Sequence, residues 1–230
     1  MKRRMEVSRC CCGNQKLLCE EGLSYWFDDF STYVEGQDLT SIYETGINSQ
    51  TVIATSGTGS VDSGAGVSVA LPVWLIYPFD PYFRTSCDFE ITFSTAPNAG
   101  GVFMWQRPFG FGTGFSMEIT WNNGGAIGGG DILNCITGSP SIGPNTSNHA
   151  IAVNDGDVLR IRVEKISYSI VNSGQLESTA YFYRNGSLIT SRLSYNHSGE
   201  SKFAWCNRRH GVVSFGGPFA VDNWNFTTDT

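Results

Sequence analysis

The sequence predicts an all-β protein, a two-sheet antiparallel β-sandwich of jelly-roll type. Three observations predict it. The 230 residues include 27 glycines and 8 prolines, the residues a helix tolerates least. Aromatic residues reach 13% while charged residues stop at 16%, well under the ~25% of an average globular chain. About a dozen short apolar or alternating runs follow one another, parted by turn residues, and no run reads as a helix. The same composition excludes bulk disorder, which goes with few aromatics and a high net charge. The length fits one domain behind a short leader.

Residues 1–24 read as a Cys-rich flexible tail and 25–230 as the sandwich. In the tail, Lys2, Arg3, Arg4 and Arg9 lead into Cys10, Cys11 and Cys12. A secretory signal would instead continue with roughly 7–15 apolar residues. The longest apolar stretch, Val67 to Tyr77, contains Pro72 and is too short to span a bilayer. The expectation is therefore no signal peptide and no membrane span, and a cytoplasmic or particle-associated chain by default. Cys10, Cys11, Cys12 and Cys19 lack the C-x-x-C spacing of zinc ribbons. Cys10, Cys12 and Cys19 are the weak zinc candidates, against a reduced tail or intermolecular cross-links. Cys87, Cys135 and Cys206 are expected to be buried as small apolar groups. A net charge of −6 argues against a nucleic-acid partner, which needs a basic face.

The strands are expected in this order. Tyr25 to Phe30 opens the domain, and Thr51 to Thr55 ends at the turn Ser56-Gly57-Thr58-Gly59. Gly66 to Tyr77 runs to Pro78. Cys87 to Thr95 alternates, with Phe89, Ile91 and Phe93 on one face. Val102 to Gln106, Phe115 to Trp121 and Asp131 to Thr137 follow, separated by glycine loops at 109–114 and 122–130. The turn Asn154-Asp155-Gly156-Asp157 releases Val158 to Ile166, with Leu159, Ile161 and Val163 on one face and Arg160, Arg162 and Glu164 on the other. Asn185-Gly186 between Thr179–Arg184 and Ser187–Leu193 is the strongest hairpin signal in the chain. Gly211 to Phe215 and Ala220 to Thr227 close the domain.

The opening Phe27-Asp28-Asp29-Phe30, the middle Gly156-Asp157-Val158-Leu159-Arg160-Ile161, then Tyr181-Phe182-Tyr183-Arg184-Asn185-Gly186 and the closing Val221-Asp222-Asn223-Trp224 resemble the concanavalin A-like lectin/glucanase superfamily, its laminin G-like and pentraxin-like branches above all. The resemblance covers roughly residues 25–230. It implies that the first and last strands pair. It also implies a choice between a glycan-binding and a glucan-hydrolysing protein.

The glucanase branch works with two carboxylates in a Glu-x-Asp-x-x-Glu pattern on one strand face, the acid and nucleophile of retaining hydrolysis. No Glu here has Asp two positions later; Glu118 is followed by Ile119 and Thr120, Glu90 by Ile91 and Thr92. His149, His197 and His210 stand far apart and are expected at the surface. A glycan site needs an aromatic platform and amides or carboxylates. The candidates are Trp105, Gln106, Trp121, Asn122, Asn123 and Asp131, beside the glycine loops, with Trp105 and Trp121 equally able to fill the core edge. The resemblance brings calcium as a possible cofactor, for which Asp28 and Asp222 are weak candidates; Asp155 and Asp157 read as turn formers. The expected function is a non-catalytic module binding a carbohydrate or surface polymer. The alternatives are a structural or interaction protein attached through the Cys-rich tail, with a protein partner or itself, and a glycoside hydrolase with an atypical carboxylate pair.

Overall fold

The computed structural model describes residues 23–39, 42–45, 52–61, 66–69, 85–106, 116–124, 130–138, 145–169, 175–195, 209–216 and 218–229. Among them are fifteen strands and no helix. These are β1 (Leu23–Asp28), β2 (Glu44–Thr45), β3 (Val52–Thr55), β4 (Thr58–Val61), β5 (Gly66–Val69), β6 (Thr85–Thr95), β7 (Ala99–Gln106) and β8 (Ser116–Asn122). They continue as β9 (Ile132–Gly138), β10 (Asn145–His149), β11 (Val158–Ser169), β12 (Gln175–Arg184), β13 (Ser187–Tyr195), β14 (Arg209–Gly216) and β15 (Phe219–Asp229). The cysteine cluster at Cys10–Cys19, Cys206, His197 and the loop 109–114 lie outside the described residues. Among the described residues no helix is long and apolar enough to cross a membrane.

The strands form two antiparallel sheets. One has the order β13-β12-β11-β6-β15-β4-β3, with β1 also paired to β15; the other has the order β10-β9-β8-β7-β14-β5-β2. First and last strands do pair, from Leu23 opposite Asp229 to Asp28 opposite Trp224. β1 opens two residues before the expected Tyr25. On β15 the left-handed backbone of Asn223 separates the residues that pair with β4 from those that pair with β1.

The core lies between the sheets, and strand alternation builds it. Phe89, Ile91 and Phe93 of β6 and Leu159, Ile161 and Val163 of β11 are fully buried, on the faces expected. From the other sheet come Val102 and Met104, Met117, Ile119 and Trp121, and Leu133 and Cys135. Burying each large apolar side chain contributes about 1.5–3 kcal/mol. On the outer face of the first sheet, Arg160 pairs with Asp88 and lies over the Tyr183 ring.

Three strands go beyond the expectation. β4 closes a hairpin with β3 across Ser56 and Gly57, both in the left-handed region at φ 50° and 78°. β2 and β10 are edge strands; β10, Asn-Thr-Ser-Asn-His, carries no apolar side chain and owes its strand to pairing with β9.

The histidines differ as well. His210 is fully buried, because β14 begins at Arg209 and puts His210 in phase with Val212 and Ser214. Its ring stacks on Phe226 at 4.3 Å. His149 is half-buried on β10, with Nε2 at 3.1 Å from Ser147 Oγ.

Candidate functional site

The site is best read from β8 outwards. Met117, Ile119 and Trp121 face the core, so Glu118, Thr120 and Asn122 face the other way. On β7 the core takes Val102 and Met104, leaving Gly101 and Phe103 outward. On β14 it takes Val212, leaving Val213 outward. The registers then align three outward rows across the middle of the second sheet. Gly211, Phe103, Glu118 and Ile136 form one row; Val213, Gly101, Thr120 and Asn134 the next; Gly216, Ala99, Asn122 and Ile132 the third.

These rows differ in access. Phe103, Glu118 and Val213 are under 9% exposed. At the opposite end Asn122 is exposed, and so is Phe215, at 55%, in the bulge between Ser214 and Gly216. The open end therefore offers an aromatic ring (Phe215), a hydroxyl (Thr120) and two amides (Asn122, Asn134) around Gly101. Gly101 itself is buried, and a Cβ there would meet Thr120 Cγ2 at 3.2 Å and Val213 Cγ1 at 3.4 Å, so those side chains close over it.

The sequence candidates separate accordingly. Trp121 is 2% exposed, its indole Nε1 donates to Pro97 O at 2.8 Å, and Phe93 packs edge-on against it. A ring closed in on both sides is a core residue, and it cannot be the platform considered from the sequence. Asn123 is a clasp rather than a ligand group: its Nδ2 donates to Val153 O at 2.6 Å and its Oδ1 accepts from Val153 N at 3.1 Å. Asp131 accepts from Gly124 N at 2.9 Å and closes its own loop. Trp105 and Gln106 end β7, and their side chains lie outside the described residues. Asn122 alone of the six is placed on the outward rows with a described side chain. The remaining members, Phe215, Gly101, Thr120, Asn134 and Glu118, were available from the strict alternation of β8 and its neighbours.

Charge on this face is sparse. β7, β8, β9 and β14 contain one carboxylate between them, Glu118. Of the two calcium candidates, Asp28 is 7% exposed and accepts from Phe30 N, Tyr33 Oη and Tyr43 Oη. Asp222 accepts from Asn223 N. Among the described residues no three His, Cys, Asp or Glu side chains come together as a metal site.

No family model matches the sequence, and no curated protein matches it. Solved structures do resemble the chain. A glycosyl hydrolase family 16 protein from Mycobacterium smegmatis is 12% identical, with a TM-score of 0.46, over 89% of this chain and 96% of that one. Lectin II from Ulex europaeus is 12% identical at a TM-score of 0.42, over 90% and 98%. A legume lectin-like domain from Entamoeba histolytica is 12% identical at 0.39, over 87% and 100%. These likenesses concern the fold alone.

Proposed function

We propose that this chain is a non-catalytic glycan-binding module and that the outward face of β9, β8, β7 and β14 receives the sugar. The observation that carries this reading is the open end of that face, where the exposed Phe215 and Asn122 stand beside the partly exposed Thr120 and Asn134. A sugar presents an apolar C–H face and a ring of hydroxyls. An exposed aromatic covers the first, and amides and a hydroxyl both donate to and accept from the second. Retaining hydrolysis needs two carboxyl groups about 5–5.5 Å apart. Glu118, the one carboxylate of these four strands, has Thr120 and not a second acid at the next outward position.

Binding of the full chain to a glycan array tests the reading, with calcium in one arm and a chelator in the other. The chelator arm reads whether the cation suggested by the resemblance takes part. Retention of a defined glycan, weakened at least about tenfold by Asn122→Ala or Phe215→Ala, is the expected result. Retention of no glycan in either arm would refute it. So would release of reducing sugar that Glu118→Gln abolishes.

A further inference from the structure

The first sheet has an outer face of its own, and strand register orders it. From β1 across to β13 one row reads Phe27, Asn225, Glu90, Arg160, Tyr183 and Leu188. The row points outward, because Phe89 and Ile91 on β6, Leu159 and Ile161 on β11, and Phe182 on β12 face the core. Phe27 and Leu188, at its two ends, are 51% and 54% exposed. The four residues between them are partly exposed.

The row is apolar at both ends, with an acid and a base on either side of its centre. Reversed and laid on itself, it is complementary: Phe27 meets Leu188, Asn225 meets Tyr183, and Glu90 meets Arg160. The next row repeats the centre, with Asp88 of β6 opposite Arg162 of β11. Arg160 is held in place for such a contact. Its Nε and one terminal nitrogen bind Asp88, and its guanidinium lies 5.3 Å over the Tyr183 ring. An arginine fixed in this way loses little freedom when a second carboxylate arrives. Tyrosine and arginine are also the residue types that carry most energy at protein interfaces. The area is of the right order. At about 4.8 Å per strand and about 3.3 Å per residue, the face from β1 to β13 covers roughly 700 Å². A standard-sized interface takes about 800 Å² from each partner.

We propose that this face is the interface of a twofold-symmetric homodimer, packed through the first sheets about an axis running along the strands between β6 and β11. The occupant is a second copy of this chain, which presents the same row in reverse order, as a twofold axis requires. Glu90 of one copy faces Arg160 of the other, and Phe27 faces Leu188. The proposal does not rest on the glycan reading, since that face belongs to the second sheet. It does add to it: the two second sheets turn their outer faces in opposite directions, so a glycan-binding dimer is bivalent.

Sedimentation velocity of the full chain across a dilution series tests the interface. A reductant keeps the cysteines from linking chains. A reversible dimer is expected. Its dissociation constant should rise at least about tenfold in Glu90→Arg, which sets like charges face to face, and in Phe27→Arg and Leu188→Glu. The last two change exposed positions and decide the matter should Glu90→Arg fail to fold. Mixing Phe27→Arg chains with Leu188→Glu chains should regain most of the lost affinity, because an arginine then faces a glutamate. A chain that stays monomeric throughout the series would overturn the proposal, as would a dimer that none of the three variants weakens. A mixture no tighter than its separate variants would overturn it too. Glycan retention is measured separately, and its failure leaves the dimer standing.

Discussion

Tyr43 donates its hydroxyl to Asp28 at 2.6 Å, tying the end of the first strand to a residue fifteen positions later. Asp28 also accepts from Tyr33 Oη at 2.7 Å and Phe30 N at 2.8 Å, so three donors converge on one carboxyl that is 7% exposed. Above it the Tyr43 ring packs against Trp224, the residue that β1 pairs with Asp28. This knot fastens the β1–β15 seam. Tyr43→Phe is expected to cost about 1–3 kcal/mol, and Asp28→Ala more, because it strands the remaining donors. Tyr33→Phe, at a half-buried position, is expected to cost least. Urea midpoints of the three variants of the full chain check the order.

Asp157 fastens the other end. It is 5% exposed and accepts from Arg184 Nε at 2.8 Å, Asn185 Nδ2 at 2.7 Å and Asn154 N at 2.8 Å. Burial alone pushes its carboxyl up. The bonds from Arg184, Asn154 and Asn185 outweigh burial and hold it below the ordinary carboxylate value. Its folded value being depressed, the stability it contributes is complete above the unfolded value of 3.8. That contribution is lost as pH falls from there through the folded value. Asp157→Asn keeps the shape and loses the charge-assisted bond to Arg184, a cost of about 2 kcal/mol at neutral pH. Acid titration of thermal stability is expected to be shallower below about pH 4 in that variant than in the parent.

Where one strand face is buried, the sequence states it. Phe89, Ile91 and Phe93, and Leu159, Ile161 and Val163, could be placed inside from alternation alone. Asn185-Gly186 could be placed in a hairpin, because that turn demands positive φ at both residues, observed at 50° and 75°. β10 was illegible for the converse reason: an edge strand of Asn, Thr, Ser, Asn and His is held by the backbone of β9. Trp121 fits a core and a sugar platform equally well, and only its enclosure by Pro97 and Phe93 decides. Asn123 reaches Val153, thirty residues away, and no local signal announces such a clasp. His210 lies inside although its residue type suggests a surface, because its phase with Val212 sets its position.

Gly100 and Gly101 are neighbours with different tasks. A Cβ on Gly100 would lie 2.6 Å from Val213 O and 2.9 Å from Trp121 Cζ2. Relief would require moving β14 away from β7 or displacing the buried indole. Gly100→Ala is therefore expected to cost about 1–3 kcal/mol. A Cβ on Gly101 meets Thr120 Cγ2 at 3.2 Å and Val213 Cγ1 at 3.4 Å, side-chain ends that give more easily. Gly101→Ala should cost less stability yet displace Thr120, a hydroxyl of the outward face. Comparing the two by denaturation and by glycan retention separates packing from binding, with Gly101→Ala the one to weaken retention per unit of stability lost.

His210 makes the fold acid-sensitive in a way a carboxylate does not. Its ring is enclosed by Phe89, Trp224 and Phe226, with both nitrogens lacking partners among the described residues. Burial pushes its pKa from 6.5 down to about 3. Folding therefore keeps the ring neutral, while the unfolded chain takes up a proton below 6.5. The stability is complete above that value and falls as pH drops from 6.5 toward about 3, by up to about 1.4 kcal/mol per pH unit. Replacing the imidazole by an apolar side chain of similar size removes both the proton and the orphaned nitrogens. His210→Leu is expected to be neutral or stabilising at neutral pH, and to flatten the loss of stability between about pH 6 and pH 4. Urea midpoints of parent and variant across that range measure it. Parallel slopes would show that the pH dependence comes from groups other than His210.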